Sequence, residues 1–347
     1  MKIALLGDVH FGARNDHPSF DKYFEKFYTE TFFPYLEKHN IKHIIQLGDV
    51  FDRRKYINFQ TLQNCKRYFF DKLKPYQCWF LVGNHDTYYK NTVTTNSLEL
   101  LLKQYNFNII VDPYETSFEG VIFLFVPWIC DSNQQAIMDA LNTTKAHILV
   151  GHFEIDGFEM QRGLLHQGDF KQSMVSSFEY VFTGHFHHKS QRNNVYYLGT
   201  PYEITWADVD DPKGFHIFDT ITRELIFVEN PHKLFVKSLY DDQDPTTQDI
   251  DFALFKEKYI KLILRNKSNP FLFDLYVDKL EKAGAYNVQV VDDHFHMDTI
   301  TDSEIVSEAE STLSILTKHI HHLDHVVDKH ELEKVMVSLY EEALSVE

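Results

Sequence analysis

The sequence predicts an α/β protein in which buried strands alternate with helices, with hairpins completing a first domain and a smaller α/β region behind it. Two observations carry this. A short apolar run ending in glycine and then a polar residue of metal-ligating type recurs five times, and segments of helical period lie between the first three copies. Continuous apolar runs suit strands covered on both faces.

The five copies are residues 4–10 (ALLGDVH), 44–52 (IIQLGDVFD), 79–86 (WFLVGNHD), 147–154 (HILVGHFE) and 180–188 (YVFTGHFHH). Their spacing varies, so this is no solenoid repeat. The glycine lets the chain turn at the strand end and approach a ligand closely. Phe20, Phe24, Phe27 and residues 32–36 follow one helical face, as do Leu62, Tyr68, Phe69 and Leu73, so the order is strand, helix, strand, helix, strand. Ligands of such sheets collect at the carboxyl ends of the strands, which puts the five polar tips along one edge. From about residue 194 short alternating strands, NVYYLGTPYEI and GFHIFDTITRELIFVEN, join through the turn-rich DVDDPKG at 208–214 and read as hairpins closing a domain of residues 1–240. The acidic DDQDPTTQDID at 241–251 is the expected linker. A strand at 259–265, a helix at 270–283 and a strand at 286–291 make a small α/β cap within residues 252–300. Two apolar stripes, from Ile305 to Leu323 and from Leu332 to Ala343, predict a C-terminal helical segment, residues 301–347, that needs a surface to pack on.

A chain of 347 residues, 44% hydrophobic and 15% aromatic with 13 Gly and 10 Pro, is globular and neither disordered nor collagenous. The three cysteines, Cys65, Cys78 and Cys130, are odd in number and widely spaced without a CxxC pair, and read as reduced, buried thiols. No apolar run is long enough to span a bilayer, and MKIALLGDVH is too short for a signal-peptide core. The expected place is therefore the cytoplasm, with no membrane partner. A net charge of −17, from 34 Lys+Arg against 51 Asp+Glu, argues against a nonspecific polyanion binder. Any nucleic-acid role must rest on local charge.

The tips supply Asp8, His10, Asp49, Asn84, His152, His185 and His187. In Asp8-Val9-His10 and His185-Phe186-His187 the outer residues stand two apart, so in an extended chain both point to one side and can reach one ion. Seven oxygen and nitrogen ligands suit two ions if one carboxylate bridges. Without thiolate the set fits Mn²⁺, Fe²⁺ or Zn²⁺ and disfavours a structural zinc knot. Two aspartates supply two negative charges where two divalent ions supply four positive ones, so the pocket would be positive inside an acidic protein and draw in a phosphodiester. A single DxH or GH is common without any metal; five in this order on strand tips are not coincidence.

GDVH, GDVFD, GNHD, GH and GHFHH resemble the signature of the calcineurin-like metallophosphoesterases, over residues 1 to about 188. With GNHD, the tail YLGTPYEITWADVDDPKGF and the small cap, the chain further resembles the SbcD-type subunits of DNA double-strand-break repair nucleases, and their phage branch over essentially its whole length. The resemblance implies a sandwich of mixed sheets flanked by helices, with a DNA-binding cap and C-terminal helices. It implies a two-metal phosphodiesterase with two Mn²⁺ or other divalent ions, digesting duplex DNA from 3′ to 5′ and cutting single strands. A homodimer in a heterotetramer with an SbcC-type ABC ATPase, bound through the C-terminal helices, is implied too, in recombination, repair and replication. Residue by residue, Asp8, His10, Asp49 and His187 fall on one ion and Asp49, Asn84, His152 and His185 on the other, with Asp49 bridging. A water between such ions would lose a proton near neutral pH and attack phosphorus in line. The family also implies His85 as proton donor to the leaving 3′ oxygen, with Asp86 orienting or charging it. Archaeal relatives often carry a histidine where this chain has Asp52, which is expected to support the shell through hydrogen bonds.

Arg14, Arg53, Arg54, Lys55, Lys189 and Arg192 follow ligand tips and are expected at the DNA backbone, although solvated loop charges would need no function. The aromatic run 20–35 reads as core plus a dimer helix. His319, His321, His322, His325 and His330 read as a solvated helix face. Two rivals differ in class: another enzyme on the same metals, either a protein phosphatase or a small phosphodiester hydrolase, and a noncatalytic scaffold that recruits the ATPase to DNA ends. Serine/threonine phosphatases typically show GDxVDRG and GNHE where this chain has GDVFDRR and GNHD, and a noncatalytic DNA-end scaffold would need no metal pair.

Overall fold

All five glycine-ended runs are strands. The computed structural model describes residues 1–292 apart from 162, 163 and 249, together with Leu332. In the first sheet β1 (Lys2–Leu6), β2 (His43–Gln46), β3 (Gln77–Leu81) and β4 (Asn108–Ile110) are parallel neighbours, and the hairpin β13 (Gly214–Asp219) and β14 (Leu225–Glu229) adds antiparallel to β1, giving the order β14-β13-β1-β2-β3-β4. The second sheet, β11-β12-β10-β7-β6-β5, is built from β5 (Tyr114–Phe118), β6 (Val121–Val126), β7 (Ile148–His152), β10 (Tyr180–Gly184), β11 (Ser190–Arg192) and β12 (Val195–Tyr197). A ribbon of β8 (Glu159–Gln161) and β9 (Leu164–Leu165) lies in the connection from β7 to β10.

Alternation along each strand feeds two cores. Ile3, Leu5, Ile45 and Leu81 from the first sheet share one buried cluster with Phe123, Phe125, Ile148, Val150 and Phe182 from the second, so the sheets face each other. Ala4, Leu6, Ile44 and Phe80 point the other way, onto the helices. Leu124, Val126, Leu149 and Val181 do the same toward Ile137 and Leu141 of the helix Gln134–Thr143. The strands are thus continuous in hydrophobicity because both faces are covered.

Between β1 and β2 the chain is helical through Pro18–Phe27, a π-helical turn at Tyr28–Phe32, and Phe33–Lys38. His17 caps the start by accepting from the Ser19 amide, and Pro18 stands where a missing N–H costs nothing. Between β2 and β3, Phe59–Cys65 runs into a second π turn at Lys66–Phe70. The two turns meet through their aromatic rings: Tyr28 stacks on Tyr68 with centroids 5.8 Å apart and packs on Phe69 at 4.5 Å. The aromatic run is therefore core of this chain.

A third sheet, β15-β16-β17, is parallel and uses β15 (Phe235–Asp241), β16 (Tyr259–Asn266) and β17 (Asn287–Asp292), with the helix Pro270–Lys282 crossing from β16 to β17. It has its own core of Tyr240, Phe255, Ile260, Leu262, Phe273, Tyr276 and Leu280. Its first strand comes before the acidic break expected as a linker. Adjacent parallel strands need a crossover of about a dozen residues or more, and the polar stretch that reads as a linker is part of that crossover. Tyr259 packs on Phe20 and Phe235 at 5.8 and 5.6 Å, and its hydroxyl meets Ser19 Oγ at 2.8 Å. Met1–Asp292 forms one compact unit, and apart from Leu332 the expected C-terminal stripes and their histidines lie outside the described residues. Cys65, Cys78 and Cys130 are buried and free. Among the described residues no helix is long and apolar enough to cross a membrane.

Phe27 is wholly buried where the first helix meets Tyr202 and Phe215 of the closing hairpin region. Phe27→Ala should cost about 3–5 kcal/mol in chemical unfolding, since the site is walled by rings that cannot collapse into the gap.

Candidate metal centre

Past their last paired residues β1 and β2 stay zipped together. The Asp49 carbonyl accepts from the amides of Val9 (3.1 Å) and His10 (3.0 Å), Phe11 donates to the Val50 carbonyl (2.9 Å), and Asp52 donates to the Phe11 carbonyl (3.1 Å). His10 (φ 43°), Asp49 (φ 54°) and His185 (φ 86°) all take left-handed backbone conformations, costly for residues with a Cβ and concentrated at functional sites. Two glycines of the repeated pattern make the room: a Cβ on Gly83 would overlap the Asp49 carboxylate, and one on Gly184 the Asp8 carboxylate. Each strand's glycine admits the acid of another strand.

The seven tip residues come together. Ligand atoms of Asp8, His10 and His187 lie within 4.8 Å of one another, as do those of Asp49, His152 and His185. Asn84 Oδ1 joins the second group, 2.9 Å from His152 Nε2 and 3.0 Å from His185 Nδ1. The groups adjoin, with His10 Nε2 3.8 Å from Asp49 Oδ2 and His152 Nδ1 4.0 Å from Asp8 Oδ1. The same-side argument fails for His185 and His187. At His185 the chain is left-handed and not extended, so the two rings enter different groups, the division the family resemblance implies.

Partners fix the tautomers. The Leu47 carbonyl can only accept, so His152 Nδ1 donates to it at 2.8 Å, and the Glu154 carboxylate takes the Nε2–H of His185 at 2.8 Å. In the neutral rings His152 Nε2 and His185 Nδ1 are then lone pairs, and both face Asn84. With its NH₂ turned inward, Asn84 donates to both rings and to Asp49 Oδ2 (3.2 Å) while its oxygen accepts from Arg54 Nη2 (3.3 Å). With its oxygen inward, four electron-rich atoms share one neighbourhood and call for a cation. The first orientation suits neutral rings without ions; the second suits a loaded pocket, or one in which His152 Nε2 carries a proton in place of an ion. Beside it His10 Nε2 and His187 Nε2 meet at 2.9 Å, and the buried Asp8 Oδ1 and His10 Nδ1 have no hydrogen-bond partner among the described residues. An oxygen and nitrogen set of this kind, without sulfur, fits hard or borderline divalent ions.

Burial pushes the Asp8 carboxyl up to about 8 and the His187 imidazole down to about 4, and it also lowers His10 and His185. Burial would lower His152 as well, but the Asp49 and Asp8 carboxylates outweigh it and hold the ring up to about 9. Against its own burial, Asp49 is held well below the usual carboxylate range by His152 and His85. Protons on Asp8 and His152 thus stand in for positive charge.

The remaining predicted residues divide. Burial pushes Asp86 up to about 7, and its oxygens accept from the amides of Gly83 (2.9 Å), Val50 (3.0 Å) and Phe51 (3.3 Å). That carboxylate braces the turn, and the ring of His85 is oriented instead by the Asp52 carbonyl, 2.6 Å from Nδ1. The Asp52 carboxylate stands 3.6 Å from His10 Nδ1, longer than a hydrogen bond. Arg54 stands beside the ligand Asn84, with Nη2 3.3 Å from its side-chain amide, and donates to Thr87 Oγ1 at 3.2 Å. Arg53 pairs with Asp16 and covers the Tyr56 ring, Arg14 donates to the Ile204 carbonyl, and Lys55 is exposed. Lys189 covers Phe227, and the exposed Arg192 leans toward Phe158.

Two supports carry no clear mark in the sequence. Glu154 orients His185; its only signal is its place two residues after His152. Lys213, 2% exposed, donates to the His187 carbonyl (2.8 Å), Asp208 (2.7 Å) and Asp211 (2.8 Å), while His188 Nδ1 lies 2.9 Å from the other oxygen of Asp211. This clamp holds the His187 loop from behind, and DVDDPKG shows only a turn.

Facing sheets whose strand ends gather two adjoining oxygen and nitrogen ligand groups define a metal-dependent phosphoesterase. The chain belongs to the calcineurin-like phosphoesterase family, whose profile matches residues 1–189, and which works with divalent metals. It is similar to Exonuclease subunit 1 of Enterobacteria phage T4, 30% identical over 334 residues and 94% of each chain. The SbcD component of nuclease SbcCD from Staphylococcus epidermidis is 25% identical over 264 residues, covering 65% of this chain and 68% of that one. An archaeal phosphodiesterase superposes with a TM-score of 0.34 at 12% identity, over 66% of this chain and 100% of the other, too loosely to bear on the fold.

To act as ligands Asp8 and His152 must shed the protons that burial and the paired carboxylates hold there, with values of about 8 and about 9. Mn²⁺ binding should therefore release protons at pH 7 and tighten as pH rises from 6 to 9, by roughly tenfold per unit for each proton displaced. Titration calorimetry in two buffers of different ionisation enthalpy reads both; an affinity flat with pH would refute the assignment.

Proposed function

We propose that the chain is the nuclease subunit of a DNA-processing complex and hydrolyses phosphodiester bonds with two Mn²⁺ ions. The adjoining ligand groups carry this reading: Asp8, His10 and His187 beside Asp49, Asn84, His152 and His185. In this reading each group would hold one ion, with Asp49 available to both. Relatives named as an exonuclease subunit and a nuclease subunit support DNA as the substrate and a partner subunit.

Bound there, two divalent ions would polarise a phosphoryl group, stabilise its growing charge and make a water acidic near neutral pH. The chain's own residues do the rest. Leu47 and Glu154 hold the rings of His152 and His185 with the correct nitrogen inward. His85 donates Nδ1–H to the Asp52 carbonyl, so Nε2 is the atom that carries the mobile proton, and the ring stands edge-on to His10 with centroids 5.0 Å apart. From there it protonates the leaving 3′ oxygen. Arg54 meets a phosphate beside the ions, while Arg14, Arg53, Lys55, Lys189 and Arg192 contact the DNA backbone around it.

The reading extends to 3′ to 5′ digestion of duplex ends and endonuclease cutting of single strands, in recombination, repair and replication. Residues 1–240 form the nuclease domain, residues 252–300 a DNA-binding cap, and residues 301–347 dock an SbcC-type ABC ATPase. The working assembly is a homodimer of this chain within a heterotetramer, in the cytoplasm.

Linear duplex DNA, single-stranded DNA, a phosphopeptide and p-nitrophenyl phosphate, each with Mn²⁺, separate nuclease from phosphatase and from scaffold. DNA degradation that Asp49→Asn abolishes is the expected result; dephosphorylation of the peptide without DNA cleavage would overturn it. His85→Asn should lower the cleavage rate by about 10²–10⁴-fold, the worth of a general acid, and leave Mn²⁺ affinity unchanged in the same calorimetry. Undiminished cleavage would remove His85 from the chemistry.

A further inference from the structure

We propose that Tyr88 and Tyr89 form a stacking platform for unpaired bases of a DNA strand that enters the metal centre, so that the chain grips single-stranded DNA more tightly than fully paired DNA. This rests on the nuclease reading and adds the residues that would sense whether a strand is open.

Three observations carry it. The first is a pair of exposed rings beside the ligands. Tyr88 and Tyr89 are 40% and 54% exposed, and their rings meet edge to face with centroids 4.7 Å apart. Single exposed rings are ordinary on a protein surface, whereas two in contact offer one continuous apolar face to a partner. Tyr88 is four residues after the ligand Asn84, so the two Cα atoms are at most about 14 Å apart.

The second is that the loop is held while its rings are left out. Ser97 donates its amide to the Asp86 carbonyl (2.8 Å), Tyr88 to the Thr95 carbonyl (2.9 Å), and Ser132 to the Asn91 carbonyl (3.1 Å). Asn96 Nδ2 donates to the Val93 carbonyl at 2.9 Å, and the Val93 side chain is buried in the core beneath the helices. Tyrosines on a fixed loop have two torsions each to lose, so little freedom is given up when a ligand settles on them.

The third is charge. Residues 87–96, TYYKNTVTTN, contain Lys90 and no carboxylate, in a chain with 51 Asp+Glu. Arg54 ties this loop to the site, with Nη1 3.2 Å from Thr87 Oγ1 and Nη2 3.3 Å from the side-chain amide of Asn84. Cations set among aromatic rings suit a polyanion that carries flat bases. A second copy of the same surface would bring like charges face to face. In a duplex the base faces are already covered by neighbouring pairs, so these rings can take only bases that have left the stack.

Fluorescence anisotropy of a labelled oligothymidylate and of a blunt duplex with the full chain, in EDTA at low salt, reads binding without cleavage. Single-strand affinity should fall about tenfold or more in Tyr88→Ala/Tyr89→Ala and recover in Tyr88→Phe/Tyr89→Phe, with duplex affinity the same in both. Hydrolysis of bis(p-nitrophenyl) phosphate with Mn²⁺, a phosphodiester without bases, should be unchanged. Absence of saturable single-strand binding to the wild-type chain overturns the proposal, as does an undiminished affinity in the alanine pair, an equal loss for the duplex, or a loss that phenylalanine does not restore. A wild-type dimer that the alanine pair dissociates in sedimentation would assign the rings to a contact between copies and overturn it too. Tyrosine-dependent binding in a chain that never cleaves DNA refutes the function reading only; DNA cleavage with single-strand affinity indifferent to the tyrosines refutes the platform only.

Discussion

The rest of this structure depends on a cluster of electron-rich atoms forced together in a buried place. Bringing Asp8 and Asp49 out of solvent costs free energy that the amides of His185 and His85 recover only in part, leaving the rest to positive charge. The chain offers little of it there. His10, His185 and His187 are held neutral by burial, and Asp8 and His152 keep protons that ordinary groups would have lost or traded. The left-handed backbone at His10, Asp49 and His185, the glycines that leave no room for a Cβ and the carbonyl of Leu47 are the means by which five distant segments are made to tolerate this crowding. Such an arrangement stores affinity for cations in the fold.

With the proposed ions bound, the local charge of the pocket would oppose the global one. A surface with a net charge of −17 repels a polyanion at long range, where salt screens it, whereas the pocket acts at contact. In the proposed reading a phosphate would meet the pocket at the sandwich edge, beside Arg54 and the loops after β1, β2 and β3.

Much of this is legible in the sequence because a strand end followed by glycine and a ligand-type residue is a local pattern, and five local patterns need only a common sheet edge to meet. The helices between the first strands show through their aromatic period for the same reason. What is not legible depends on long-range geometry. His185 and His187 part company because of a single φ angle, which no spacing records. Asp86 lies next to His85 in sequence, yet the turn points its carboxylate into backbone amides. Glu154 and Lys213 act through contacts 31 and 26 residues away, on His185 and His187. The acidic break looks like a boundary because a crossover on the surface has a linker's composition, so β15 reads as part of the first domain although it pairs within the third sheet.

The clamp of Lys213 has a consequence for where this molecule could be divided. The recognisable family region stops at residue 189, but it is not a self-sufficient body. Severing the chain there would strip β13 and β14 from the flank of β1, expose the edge of its central strand, and leave the His187 loop without the ammonium that pins its carbonyl. Ancestry and autonomy therefore have different borders in this protein: the chemistry is written in the first half, and its rigidity is supplied from the second.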